Sequence, residues 1–129
     1  MLDGEIVKLD ENGRPIFVDL MRRRGPFQFV AFDVLALNGK DVRKLPLVER
    51  KRLLRAIAPN SSSSILCAQH VAGRGRDLFA AVRNQDLEGI VAKRKRSAYN
   101  PVSPLAVWVK IKNAEYSQAR DRHELFERT

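Results

Sequence analysis

The sequence predicts an α+β fold, mostly antiparallel sheet with helices packed outside it. Three observations carry that expectation. The run from Phe27 to Leu37 is almost wholly apolar and rich in Phe and Val, the pattern of a strand buried on both faces. Glu88-Gly-Ile-Val-Ala-Lys93 and Trp108-Val-Lys-Ile-Lys112 read as shorter strands with charge planted on them. Between these lie two stretches with helical apolar spacing.

In chain order, Leu2 to Leu9 reads as a strand, and Asp10-Glu-Asn-Gly13 carries hairpin-turn chemistry. Ile16 to Met21 fits either a return strand or a short helix. Arg22-Arg-Arg-Gly-Pro26 is a loop, and Asn38-Gly39 turns the long apolar strand. Pro46 suits the first position of a helix. Leu47, Leu53, Leu54 and Ile57 supply that helix with an apolar stripe, and Arg and Lys take the other face. Asn60-Ser-Ser-Ser-Ser64 is a loop. Ile65 to Val71 predicts a short strand that Gly73 and Gly75 break. Asp77 to Gln85 predicts a second helix with Leu78, Phe79 and Val82 inward. After the strand at Ile90 comes the basic loop from Lys93 to Arg96, then the irregular Tyr99-Asn-Pro-Val-Ser-Pro104. From Glu115 onward the chain is charged, as in a short exposed helix. No repeat or internal boundary is visible, so the expected division is a domain over 1–113 and a charged, helical tail over 114–129.

The chain has 129 residues, 44% of them hydrophobic, enough for one domain or part of one with a real core. It carries 24 Lys+Arg against 15 Asp+Glu, a formal charge of +9. That balance favours polyanions such as nucleic acid or nucleotides, and equally describes a merely soluble basic protein. The single cysteine, Cys67, excludes an internal disulfide and fits a reducing compartment. With only His70 and His123 besides, it forms no zinc pattern. The sequence has no signal peptide and no apolar run of membrane-spanning length, so a cytoplasmic protein without a membrane partner is expected.

Period-2 alternation puts Trp108, Lys110 and Lys112 on one face of the last strand and Val107, Val109 and Ile111 on the other, which is expected to face the core. Two lysines on one side suit an anion such as phosphate between them, or a solvated face anchored by Trp108. Glu88 stands at the mouth of a strand, where a carboxylate can hold Mg²⁺ or simply end a loop. Gly89 beside it admits a ligand or another backbone. Lys93, five residues on, falls on the opposite face of a regular strand. Phe32 can stack on a base or sit in the core. Asp33, inside an apolar run, needs partners, and lysines are the expected ones. Glu5 is another strand acid, sharing a face with Asp3 and Val7. Gly73-Arg-Gly-Arg76 lacks the Gly-Lys-Ser/Thr ending of a phosphate-binding loop.

In order and spacing these pieces resemble the ATP-dependent DNA ligases, most closely the adenylation (nucleotidyltransferase) domain of the bacterial end-joining type. Leu2-Asp-Gly-Glu-Ile-Val7 resembles the strand with a ribose- and metal-site Glu. Phe29-Val-Ala-Phe-Asp-Val-Leu-Ala-Leu-Asn-Gly39 resembles the third motif, whose Phe stacks on adenine. Glu88–Lys93 resembles the fourth, with a metal-associated Glu, and Trp108–Lys112 the fifth, whose lysines contact phosphates. The likeness covers roughly Leu2 to Lys112. It implies ATP as AMP donor, Mg²⁺ or Mn²⁺, and DNA as partner. Phe32, Glu5, Lys93, Lys110 and Lys112 would hold the nucleotide, and Glu88 and Glu5 the metal. Family chemistry runs from lysine-AMP to DNA-AMP to a sealed nick.

The sequence departs from that pattern at the nucleophile. No Lys-x-Asp-Gly is present. Met1-Leu-Asp-Gly4 puts a thioether where lysine belongs, and Glu5-Ile-Val7 beyond it fits the later strand better. The basic residues usual between the Tyr and the Trp are replaced by Pro101-Val-Ser-Pro-Leu-Ala-Val107. Asn113 to Thr129 is too short for the oligonucleotide-binding barrel that comes next in the family. The expectation is a truncated or split adenylation domain with no catalytic residue of its own, which does not self-adenylate. The alternatives are a non-enzymatic nucleotide- or DNA-binding module, a partner polypeptide that completes a lysine-bearing chain through an apolar edge near Leu2, and a degenerate fragment that binds nothing.

Overall fold

The structure is a computed structural model; it describes residues 1–16, 19, 21–57, 64–100 and 108–119. Within them the strands are β1 (Leu2–Val7), β2 (Gln28–Val34), β3 (Ala36–Leu37), β4 (Lys40–Asp41), β5 (Ile65–Cys67), β6 (Gly89–Lys93) and β7 (Trp108–Lys112). The helices are α1 (Leu47–Ile57) and α2 (Gly75–Asn84). The strands form a three-stranded sheet ordered β1-β2-β5 and two pairs, β3-β4 and β6-β7. The α+β expectation holds, with one parallel pair: β5 lies along β2 in the register Phe29 to Ile65, Val30 to Leu66 and Ala31 to Cys67. A parallel return needs a crossover, and β3-β4 and α1 lie in that connection.

Contacts divide the chain into two compact units. The first comprises Met1–Ile6, Gln28–His70 and Lys93–Val109, the second Val7–Phe27, Val71–Ala92 and Lys110–Thr129. Each is assembled from three separate segments, so no single linker marks a boundary in the sequence. The first unit holds the core of Ala31, Val34, Val42 and Leu54, with Leu2, Phe29, Leu53 and Cys67 packed on it. The central strand β2 supplies two of the four, as its unbroken apolar run requires. Asn38 (φ 51°) and Gly39 (φ 78°) take left-handed conformations between β3 and β4, the turn that Asn-Gly favours.

In the second unit the Leu9–Pro15 bridge closes the Asn-Gly turn. Val82 is the buried residue of α2. Gly89 has φ 156°, and a Cβ there would collide with the Ile111 carbonyl oxygen. Of the two reasons sequence allows for this glycine, close approach of another backbone is the one observed. The Asp86 carboxylate accepts hydrogen bonds from the Ser117 N–H and hydroxyl. Asn113 donates its side-chain amide to the Leu87 carbonyl and its backbone N–H to that of Glu88.

Several expectations change. The apolar run Phe27–Leu37 is not one strand but two, β2 and β3, in different sheets, and α2 starts at Gly75 and ends at Asn84 where Asp77 to Gln85 was expected. The β5 strand ends at Cys67, short of Val71. Val109 and Ile111 are 55% and 39% exposed, so that face of β7 is not core. And α1 is not basic along one side only, because Arg50 is fully buried. Of the Ile16–Met21 segment, 17, 18 and 20 lie outside the described residues, as do the serine run over 58–63, the 101–107 loop and the tail beyond 119. No helix among the described residues is long and apolar enough to cross a membrane.

Candidate functional site

The site in the first unit is built outward from one buried ion pair. Arg50 stands on α1 three residues after Leu47 and four before Leu54, on their buried face. Its Nε and Nη2 donate to the two Asp33 carboxylate oxygens at 2.8 and 3.1 Å, and both side chains are fully buried. Sequence reasoning expected lysine here. A guanidinium is the better fit because its planar fork meets both oxygens at once and has donors to spare. The spare nitrogen, Nη1, donates to the carbonyls of Leu45 (2.6 Å) and Ser97 (2.9 Å). Asp33 also accepts the Val34 N–H.

These bonds fix the segment C-terminal to β6. The first N–H groups of α1 have no partner within the helix. Those of Leu47 and Val48 donate to the carbonyls of Ser97 and Lys95, and Tyr99 N–H donates to the Arg43 carbonyl. Tyr99 is thereby held with its hydroxyl donating to Asp3 Oδ2 at 2.9 Å. Burial first, and the Asp3 carboxylate second, push the phenol pKa up, so it remains a donor. The Arg50 guanidinium lies 5.9 Å from the Tyr99 ring centroid. The Trp108 ring meets Tyr99 edge-on, with centroids 5.7 Å apart and planes at 70°.

Lys93, the last residue of β6, reaches into this framework. Its ammonium sits 4.3 Å from the Phe32 ring centroid and 4.4 Å from that of Trp108, between two aromatic faces. Burial, aided by the charge of Lys51, lowers its pKa to about 8, while Asp33 and Asp3 pull the other way. Burial likewise pushes Lys51 on α1 down, and burial with the charges of Lys51 and Arg55 pushes His70 down. The indole N–H of Trp108 is buried without an acceptor, the one such side-chain atom among the described residues. An apolar cavity of about 130 Å³ between Leu2, Ala31, Leu54, Ile57, Ile65 and Cys67 is too small for a nucleotide, given ligand pockets of roughly 300–1,000 Å³.

The structure therefore brings Phe32 and Lys93 together and adds Trp108. Glu5 is exposed on β1, and the acid that meets the aromatic framework is its face-mate Asp3. Glu88, in the second unit, is exposed just before β6, and Lys110 and Lys112 are exposed on β7. Among the described residues no group of three or more His, Cys, Asp or Glu is placed to hold a metal by itself. Sequence reasoning missed Asp3, Arg50, Lys51 and Tyr99 as parts of the site. For Arg50 a signal existed: an arginine at an apolar helix spacing answering a lone aspartate in an apolar strand.

A sheet whose central strand offers a ring to a lysine from a Glu-Gly-Ile-Val-Ala-Lys strand, with the Trp of a Trp-x-Lys-x-Lys strand over the same ammonium, is the architecture of a nucleotidyltransferase adenylation domain. The ATP dependent DNA ligase domain model matches residues 1–112, and the chain belongs to that family. It is 36% identical over 115 residues to the multifunctional non-homologous end joining protein LigD of Mycobacterium bovis, covering 88% of this chain and 15% of that protein. DNA ligase 2 of Methanosarcina acetivorans is 33% identical, over 87% of this chain and 23% of its own length. Among solved structures, mycobacterial DNA ligase D complexed with ATP and MES superposes with a TM-score of 0.74 at 36% identity, over 87% of this chain and 37% of that one. The ligase domain of M. tuberculosis LigD gives 0.73 at 35% identity, over 86% and 37%. The chain thus spans about a seventh to a quarter of these curated relatives.

Proposed function

We propose that this chain is the nucleotide-holding part of a DNA ligase adenylation domain, which binds ATP and does not adenylate itself when alone. The observation that carries this reading is the cluster of Phe32, Lys93 and Trp108. It combines an aromatic ring of the kind that stacks on a base with a cation for phosphate, and the indole N–H of Trp108 beside them has no acceptor among the described residues. Phe32 stacks on adenine and Glu5 serves the ribose side. Lys93, Lys110 and Lys112 neutralise the phosphates, where charge stabilisation dominates such transfers. The donor set suits Mg²⁺, which takes one or two carboxylates with phosphate oxygens and water; Glu88 and Glu5 would supply the carboxylates. A bound Mg²⁺ would act as Lewis acid and template. DNA as partner is supported by the +9 charge.

No residue of the chain stands in a Lys-x-Asp-Gly context, so binding without covalent capture is expected. Incubation with ATP and Mg²⁺, then intact mass, tests this: bound ATP with unchanged mass is the expected result, and a stable AMP adduct overturns it. A second reading, in which another polypeptide supplies the lysine, is favoured by Ile6 on β1 being 55% exposed. Its test is adduct formation on a lysine-bearing ligase fragment only when this chain is added.

A further inference from the structure

We propose that Lys93 is a phosphate-released latch: its ammonium fills the space over Phe32 where a base would stack, and only a ligand that brings its own anion draws it out. This rests on the nucleotide-binding reading above and adds a rule of specificity to it, namely that base binding is conditional on phosphate.

The geometry sets up a direct competition. Stacked aromatic groups need centroids about 4.5–7 Å apart. The ammonium already stands 4.3 Å from the Phe32 centroid and 4.4 Å from that of Trp108. A purine stacking on that face of Phe32 must displace Lys93.

The hold on Lys93 is of a kind that phosphate can outbid. The two acids that feel its charge are Asp33 and Asp3. Asp33 is taken up by the Arg50 fork, and Asp3 accepts the Tyr99 hydroxyl. Among the described residues, what fastens the ammonium is the pair of rings, a weaker attraction than a charge-assisted hydrogen bond to a phosphate oxygen. Lys51 and Arg50 add like charge nearby, which an incoming anion neutralises. An uncharged nucleoside offers no such exchange. It must expel a cation from two aromatic faces and leave it beside other cations. The four-carbon stem of lysine is flexible enough to swing from ring to phosphate without moving the backbone.

The test uses the full chain and the fluorescence of Trp108, its only tryptophan. Adenosine and ATP are titrated into the wild-type chain, Lys93→Met and Lys93→Arg. The wild-type chain is expected to bind ATP and to bind adenosine far more weakly. In Lys93→Met, adenosine affinity rises about tenfold as two cation–π contacts no longer oppose it, while ATP affinity falls and the preference collapses. Lys93→Arg retains the preference. Adenosine binding as tightly as ATP to the wild-type chain overturns the latch, whether or not the variants fold. Unchanged adenosine affinity in Lys93→Met, with ATP still bound by the wild-type chain, overturns the latch and leaves the nucleotide reading standing. Failure of every form to bind either ligand overturns both.

Discussion

Replacing Arg50 by methionine should remove much of this protein's stability margin. Methionine keeps the apolar stem in place beside Leu47 and Leu54 but removes the guanidinium. Among the described residues, the fully buried Asp33 carboxylate would then retain only the N–H of its neighbour Val34, and the Leu45 and Ser97 carbonyls would each lose a donor. Breaking one side of a buried ion pair costs about 3–5 kcal/mol, against a total of roughly 5–15 kcal/mol for a domain. The melting temperature should fall by roughly 10–20 °C. Urea unfolding, monitored by Trp108 fluorescence and far-ultraviolet circular dichroism, measures the loss. The same pairing predicts strong coupling. Asp33→Asn alone is costly because it strands Arg50, and Asp33→Asn/Arg50→Met should cost about 2–3 kcal/mol less than the two singles summed. A loss below about 1 kcal/mol in Arg50→Met, or additive singles, would place the pair with ordinary surface ion pairs and refute its role as the centre of the first unit.

Other contacts predict three more outcomes. Tyr99→Phe removes the hydroxyl that bonds Asp3 and should lower stability by about 1 kcal/mol in the same urea assay, with no effect if the bond does not form in solution. Gly89→Ala drives a Cβ into the Ile111 carbonyl at a backbone conformation that suits glycine, and should cost about 1–3 kcal/mol, read as faster amide exchange along β6 and β7. Lys93, lowered to about 8 by burial and Lys51 against the pull of Asp33 and Asp3, should be the chain's most readily carbamylated lysine. Its labelling, mapped by peptide mass, should rise through pH 8 where an ordinary lysine rises near 10.4. The linkage has a definite sign: a lysine depressed in the folded state leaves the unfolded chain holding more protons above pH 8, so its contribution makes the protein more stable as pH rises from about 8 towards 10.5.

The local elements were legible because they rest on short-range rules. Unbroken apolarity marked β2 as a central strand, Asn-Gly marked the β3-β4 turn, and Pro46 with the leucines after it marked the start of α1 to within a residue. Motif order pointed to the family. What no local rule reaches is which face is covered and which charge meets which. Alternation put Val109 and Ile111 inward, but burial depends on what packs against β7, and both are exposed. Asp33 needed a partner, and only the crossover that lays α1 on β2 brings Arg50 to it across seventeen residues. Glu5 and Asp3 are equivalent by sequence pattern. The Tyr99 hydroxyl, carried in by a loop tied to the start of α1, distinguishes them.

By itself, then, the sequence determined most of the elements in outline, the ligase family and the absence of a Lys-x-Asp-Gly lysine, since these are properties of residue order. The tertiary structure alone decided that Arg50 belongs to the core and that Lys93 lies between Phe32 and Trp108. Both depend on segments distant in the chain, and the energy of a buried charge or a ring face exists only once those segments meet.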